Sequence, residues 1–229
     1  MRHEKIAIVI YGLPGSGKGT QANLAANMFG LVNFDTGRHL ESLWYDPKRQ
    51  KGALVKKERM LFDGGKLNTP SFVLREVKKA AQKTAATGLG IVFSGSPRSM
   101  HEAEKLVPFL EKLYGRKKVF FFFLDVDPKD SVERNTRRRL CSICRSPLLA
   151  KYYPSKYPRH CPFCAGSLYK RTLDRADIIT KRIEEYENRT APIFQYLKKR
   201  GSKIKHINGR PKPYKIFREI ERHINTRIQ

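Results

Sequence analysis

Three short runs of the chain are apolar at nearly every position: Ile6 to Ile10, Leu89 to Phe93 and Val119 to Leu124. Each is rich in β-branched or aromatic residues and stops at turn-forming or polar residues. That is the pattern of strands buried on both faces. Elsewhere apolar residues recur at i, i+3 and i+4, which predicts helices over Gln21 to Phe29, Phe72 to Ala81, Ala103 to Leu113 and Ile178 to Leu197. Strands alternating with helices predict an α/β chain. Its parallel sheet is covered on both faces and takes ligands at the strands' carboxyl ends. Two segments break the rhythm. Residues 35–68 are polar or helical with no evident sheet strand. Residues 141–170 lack periodicity, are rich in Tyr and Pro, and hold every cysteine.

The chain has 229 residues, 40% of them hydrophobic, enough for one domain with a substantial core and smaller inserted pieces. No stretch approaches the roughly 20 apolar residues that cross a bilayer. The apolar run after Met1–Lys5 is too short for a signal-peptide core. A cytoplasmic monomer with no membrane partner is expected. Lys and Arg total 47 against 21 Asp and Glu, a net charge of +26. Such a surplus draws polyanions such as nucleotides, RNA, DNA or anionic lipid. It serves equally for solubility or as adaptation to a basic cell interior. Charge alone therefore leaves the partner open, weak nonspecific nucleic-acid binding included.

Chemistry enters at Gly12-Leu13-Pro14-Gly15-Ser16-Gly17-Lys18-Gly19-Thr20. A strand precedes it and a helical run follows, the setting a phosphate-binding loop requires. The glycines let the backbone curl until several N–H groups face phosphate oxygens. The helix adds its positive end, and Lys18 reaches the β- and γ-phosphates. The general pattern has Ser or Thr directly after the lysine. Here Gly19 intervenes, so Thr20 is the candidate hydroxyl near Mg²⁺.

The cysteines form two pairs, Cys141-x-x-Cys144 and, after 16 residues, Cys161-x-x-Cys164. Two such pairs complete a tetrahedron and point to metal before disulfides. Four thiolates select zinc or iron. Zinc suits a clamp that needs no redox chemistry, and it would supply folding energy to about 30 residues with few core aliphatics. Four free thiols are the alternative. His160 stands beside Cys161, but the set is complete without it.

These residues resemble a family. Residues 12–21, with their Pro and intruding Gly, look like the phosphate loop of adenylate kinases. Asp35-Thr36-Gly37 resembles the family's Ser-Thr-Gly opening of the monophosphate-binding segment, and Gly65-Lys66-Leu67-Asn68-Thr69 resembles its end. Gly95-Ser96-Pro97-Arg98-Ser99 is similar to Gly-Phe-Pro-Arg-Thr. Arg182-Ile183-Glu184-Glu185-Tyr186, with Thr190-Ala191-Pro192, is similar to Arg-Leu-x-x-Tyr…Thr-x-Pro.

The resemblance implies a three-layer P-loop core (1–34, 69–137 and 174–229), a monophosphate-binding insert (35–68) and a zinc lid (138–173). It implies reversible phosphoryl transfer from MgATP to AMP, giving two ADP, with structural zinc and Mg²⁺ carried by ATP. Gly15, Ser16, Gly17, Lys18, Gly19 and Thr20 would hold ATP, with Arg134 stacked over its adenine. Arg98 would clamp the acceptor phosphate, Arg138 and Arg171 would descend with the lid, and Arg182 would hold phosphates from the core. Thr36, Arg38, Asn68 and Glu102 would meet the monophosphate. The planar guanidinium grips phosphate with two donors, and no catalytic base is expected because the acceptor's own oxygen attacks.

Several positions depart from the family. Glu41 stands where an Arg is usual, with Arg38 one turn away as a replacement. Glu102 replaces the Gln that reads adenine. An ionised carboxylate only accepts, which suits guanine's paired donors and keeps GMP, or a range of monophosphates, as alternative acceptors. Ser94 replaces an Asp of the magnesium shell, and Leu173 the first of two lid-base Asp residues, leaving Asp174. Two readings of other classes stay open. One is a zinc-ribbon nucleic-acid-binding protein whose basic lid stacks bases on Tyr152, Tyr153, Tyr157, Phe163 and Tyr169. The other is an ATP sensor without fast transfer.

Overall fold

The computed structural model describes residues 4–149 and 159–228. Tyr152, Tyr153 and Tyr157 of the lid lie outside them. Five parallel strands form the central sheet: β1 (Ala7–Tyr11), β2 (Val32–Phe34), β3 (Ile91–Phe93), β4 (Val119–Asp125) and β8 (Ile204–Asn208). Their order is β2-β3-β1-β4-β8. β1 lies between β3 and β4, with Val9 opposite both Phe93 and Phe121. The chain leaves β1 for the far side of β3 and later returns to β4, so a crevice opens at the carboxyl end of β1.

Period-two alternation sends side chains to both faces of this buried sheet. Ala7, Val9 and Tyr11 join Ile91, Phe93, Val119 and Phe121 against α4 (Pro70–Ala86), α5 (Met100–Tyr114) and α8 (Ile193–Lys199). Ile6, Ile8 and Ile10 join Val92, Phe120, Phe122 and Leu124 against α1 (Lys18–Phe29) and α9 (Pro213–Ile228). The result is the expected three-layer α/β core. No helix among the described residues is long and apolar enough to cross a membrane.

Between β2 and α4 lie α2 (Thr36–Trp44) and α3 (Ala53–Asp63), with no strand, as expected of that segment. After α6 (Pro128–Arg137), the cysteine-bearing stretch forms its own antiparallel sheet. It consists of β5 (Arg138–Cys141), β6 (Pro147–Leu149) and β7 (Leu168–Tyr169), in the order β6-β5-β7.

Three expectations need correction. The helix predicted over Ile178 to Leu197 is two helices, α7 (Ala176–Glu185) and α8, joined by a π-helical turn at Tyr186–Thr190. There the Ala191 N–H reaches the Tyr186 carbonyl at 2.9 Å. Pro192, which cannot donate, sits where the helix would continue. The strands β2 and β8 were missed because each is at a sheet edge and half exposed, so neither reads as an apolar run. The lid strands are too short, and too polar on one side, to show a period.

Candidate active site

The loop after β1 turns on glycine. At Gly12, φ is +144°, and a Cβ there would lie 2.5 Å from Ser16 Oγ and 2.7 Å from the Leu124 carbonyl. Gly17 has φ +100° and is the N-cap of α1, with no side-chain cap and open space where a Cβ would stand. The first amides of α1 thus face the crevice without intrahelical partners, ready for an anion. Lys18 Nζ folds back to donate to the Gly12 and Leu13 carbonyls, both at 2.7 Å. Burial, and then the charges of Arg98, Arg182 and Arg138, hold its amine well below the usual lysine range.

The crevice gathers the sequence's candidates from distant elements. Gly15 to Thr20 line it from the loop, and Thr36, Asn68, Arg98 and Glu102 line it from one side. Arg134, Arg138, Arg171 and Arg182 line it from α6, the lid base and α7. Arg38 is the exception: it is exposed and lines no part of the crevice, its N–H donating to the capping carboxylate of Asp35 at 3.1 Å.

Acidic partners that the sequence reading did not pair tie down several of these groups. Arg138 meets Asp174 in a two-pronged contact, Nε to Oδ2 at 3.0 Å and Nη2 to Oδ1 at 2.5 Å. Arg171 pairs with Glu41 of α2. The Asn68 amide donates to the Glu58 carbonyl at 2.7 Å and to its fully buried carboxylate at 2.9 Å. Arg134 donates to the Gly209 carbonyl at 2.9 Å, fixing the turn after β8. Glu102 closes the first turn of α5 in a variant of the capping box: its N–H donates to Ser99 Oγ at 3.3 Å, and its carboxylate accepts from Ser99 Oγ at 2.9 Å and from the Arg98 N–H at 3.2 Å. The Ser99-x-x-Glu102 spacing carried that signal in the sequence.

Arg182 is the most crowded cation. Burial, and then Arg98, Arg171 and Arg138, push its guanidinium below its ordinary value. Its Nη1 is buried without a hydrogen-bond partner, as are the hydroxyls of Ser16 and Ser94. Anionic oxygens would satisfy the guanidinium and the hydroxyls at once and relieve the repulsion. This arrangement is built to hold a polyanion and to neutralise charge developing on it.

In the lid, the four cysteine sulfurs lie within 4.8 Å of one another. Cys141 and Cys164 are 3.4 Å apart, and Cys144 and Cys161 are 3.6 Å apart. Metal–sulfur bonds of about 2.3 Å in a tetrahedron need edges of roughly 3.8 Å, so the donor set fits a tetrahedral ion. The two pairs are built alike. Arg145 N–H donates to the Cys141 carbonyl, and Ala165 N–H to the Cys161 carbonyl. Arg145 and Ala165, each directly after its pair, are the non-glycine residues with positive φ among the described residues, at 60° and 56°.

Comparison with known proteins decides the family. A sequence profile described as "Adenylate kinase" matches residues 10–202. The chain belongs to the adenylate kinase family. Accordingly it is a phosphotransferase. It is 34% identical to the adenylate kinase of Methanothrix thermoacetophila, over 94% of this chain and 96% of that one. The adenylate kinase of Caldicellulosiruptor saccharolyticus is 31% identical over 85% of this chain and 87% of its own. That of Bacillus subtilis is 27% identical over 93% and 95%. The resemblance read from five short motifs therefore extends along most of the family's length.

Proposed function

We propose that this chain transfers the γ-phosphoryl group of MgATP reversibly to AMP, giving two ADP. The convergence of Lys18, Arg98, Arg138, Arg171 and Arg182 on the crevice that the phosphate loop also lines carries this reading. Residues 15–20 and Lys18 hold the donor's phosphates, and Arg134 backs the donor site. Thr36, Asn68 and Arg98 serve the acceptor. The chemistry needs two anions held in line, with positive groups on the transferring oxygens, and no base. Residues 138–173 act as a lid over the donor and 35–68 as the acceptor's segment. Closure excludes water that would otherwise take the phosphoryl group. Zinc on Cys141, Cys144, Cys161 and Cys164 would supply the lid's rigidity, and Mg²⁺ with ATP would supply charge neutralisation.

Glu102 weakens the case for GMP. Each of its oxygens already accepts one hydrogen bond at the start of α5, which fixes the carboxylate's orientation there. The test is turnover with AMP, GMP, CMP and UMP, with Lys18→Ala as control. A preference for AMP above about tenfold, and a loss of at least about 100-fold in the variant, support the reading. Equal rates with GMP would overturn the acceptor assignment, and turnover indifferent to Lys18 would overturn the site.

A further inference from the structure

The lid carries a surface that the crevice does not use. Of the chain's 21 acidic residues none falls within 138–173, while eight Lys and Arg do. A zinc tetrathiolate would offset only two of those charges. The two cysteine loops also present large apolar side chains at their equivalent third positions. Ile143 is 70% exposed and Phe163 is 73% exposed. Neither lines the crevice. Exposed cations flank them: Arg159 just before Cys161, Arg145 just after Cys144, and Lys170 after β7. The Arg145 guanidinium lies over the Tyr169 ring, 5.8 Å from its centroid.

We propose that this face of the lid binds single-stranded nucleic acid, with Phe163 stacked on a base and Arg145, Arg159 and Lys170 on backbone phosphates. A solvent-facing ring among cations is what stacking on unpaired bases requires, and a duplex hides those base faces. A lipid surface fits less well. Interfacial binding uses an amphipathic α-helix, and the described residues of the lid contain no α-helix. Because the crevice lies elsewhere, binding leaves phosphoryl transfer intact, and the proposal stands or falls apart from the acceptor assignment.

The test uses the full chain with its zinc content measured, and a fluorescein-labelled 12-nucleotide oligo-U followed by anisotropy. Three phosphate contacts predict roughly 20-fold weaker binding at 200 mM than at 50 mM salt, from a slope of about −0.7 per contact. Phe163→Ala should weaken binding at least about fivefold with turnover unchanged. Arg159→Gln with Lys170→Gln should reduce the salt slope by about 1.4. Lys203→Gln with Lys205→Gln, at the β8 edge, should leave binding unchanged. Three results would each overturn the proposal: Phe163→Ala binding within twofold of the parent, the β8-edge variant losing as much as the lid variant, or anionic vesicles bound where the oligonucleotide is not.

Discussion

Asp174 offers the sharpest test of the charge arrangement in the crevice. It is fully buried, and both its oxygens hold Arg138, a residue 19% exposed. Truncation to Ala strands that guanidinium beside Arg98, Arg171 and Arg182. Breaking a buried pair costs about 3–5 kcal/mol. Arg138 keeps some solvent, so the lower end applies, about 3 kcal/mol. Asn retains one acceptor and should cost about 1.5–2 kcal/mol. For a chain of this size each kcal/mol moves Tm by roughly 2–4 °C, so Asp174→Ala should melt about 6–12 °C lower without nucleotide. Differential scanning fluorimetry reads this directly. Saturating ATP should narrow the gap, because phosphates then supply the missing negative charge. Replacing both partners, Arg138→Met with Asp174→Leu, should restore most of the lost stability. A shift under 3 °C for Asp174→Ala, or a gap that ATP leaves untouched, would refute the reasoning.

Three further outcomes are expected. Lys18 has its folded-state pKa lowered, so its charge costs stability below that pKa, and the cost fades as pH rises through it toward 10.5. Bound phosphates favour the protonated amine, so calorimetry in two buffers of different ionisation enthalpy should show proton uptake on ATP binding at pH values below 10.5; no uptake at any pH up to 10.5 would contradict it. Removing metal with a strong chelator should add a low-temperature unfolding transition confined to the lid and abolish turnover, with the core's transition retained; a single unchanged melt would count against the metal clamp. Ala165→Gly should relieve the left-handed strain after the second cysteine pair by about 1 kcal/mol. Slower chelator-driven zinc loss would show it, and faster loss would argue against it.

The parts legible in the sequence were those whose physics is local. β1, β3 and β4 read as apolar runs because both faces are buried. The loop at 12–20 read from its glycines, and the clustering of the four cysteines from their spacing. β2 and β8 did not read, because an edge strand shares its sides between core and water. The break at Tyr186–Thr190 did not read either: the apolar stripe continues through it, and only Pro192 hinted at the change. The pairings of Glu58 with the Asn68 amide, and of Glu41 and Asp174 with Arg171 and Arg138, were invisible, since they join positions 10, 130 and 36 residues apart. The tie of Glu102 to the start of α5 is legible in the Ser99-x-x-Glu102 spacing.

Those pairings change how the departures from the family pattern are understood. An Arg at position 41 would face Arg171, adding to a crevice already short of negative charge. With Glu41 there, Arg171 instead has a partner before any phosphate arrives, as Arg138 has in Asp174. A chain carrying +26 must hold its cleft cations near one another without substrate, and paired acids lower the cost in repulsion. On the proposed site, incoming phosphates take Arg171 from Glu41, so part of the binding energy goes into that exchange. Glu41→Gln should therefore tighten ATP binding while lowering the stability of the empty protein. A variant that weakens both would show Glu41 to be a simple strut, with no exchange.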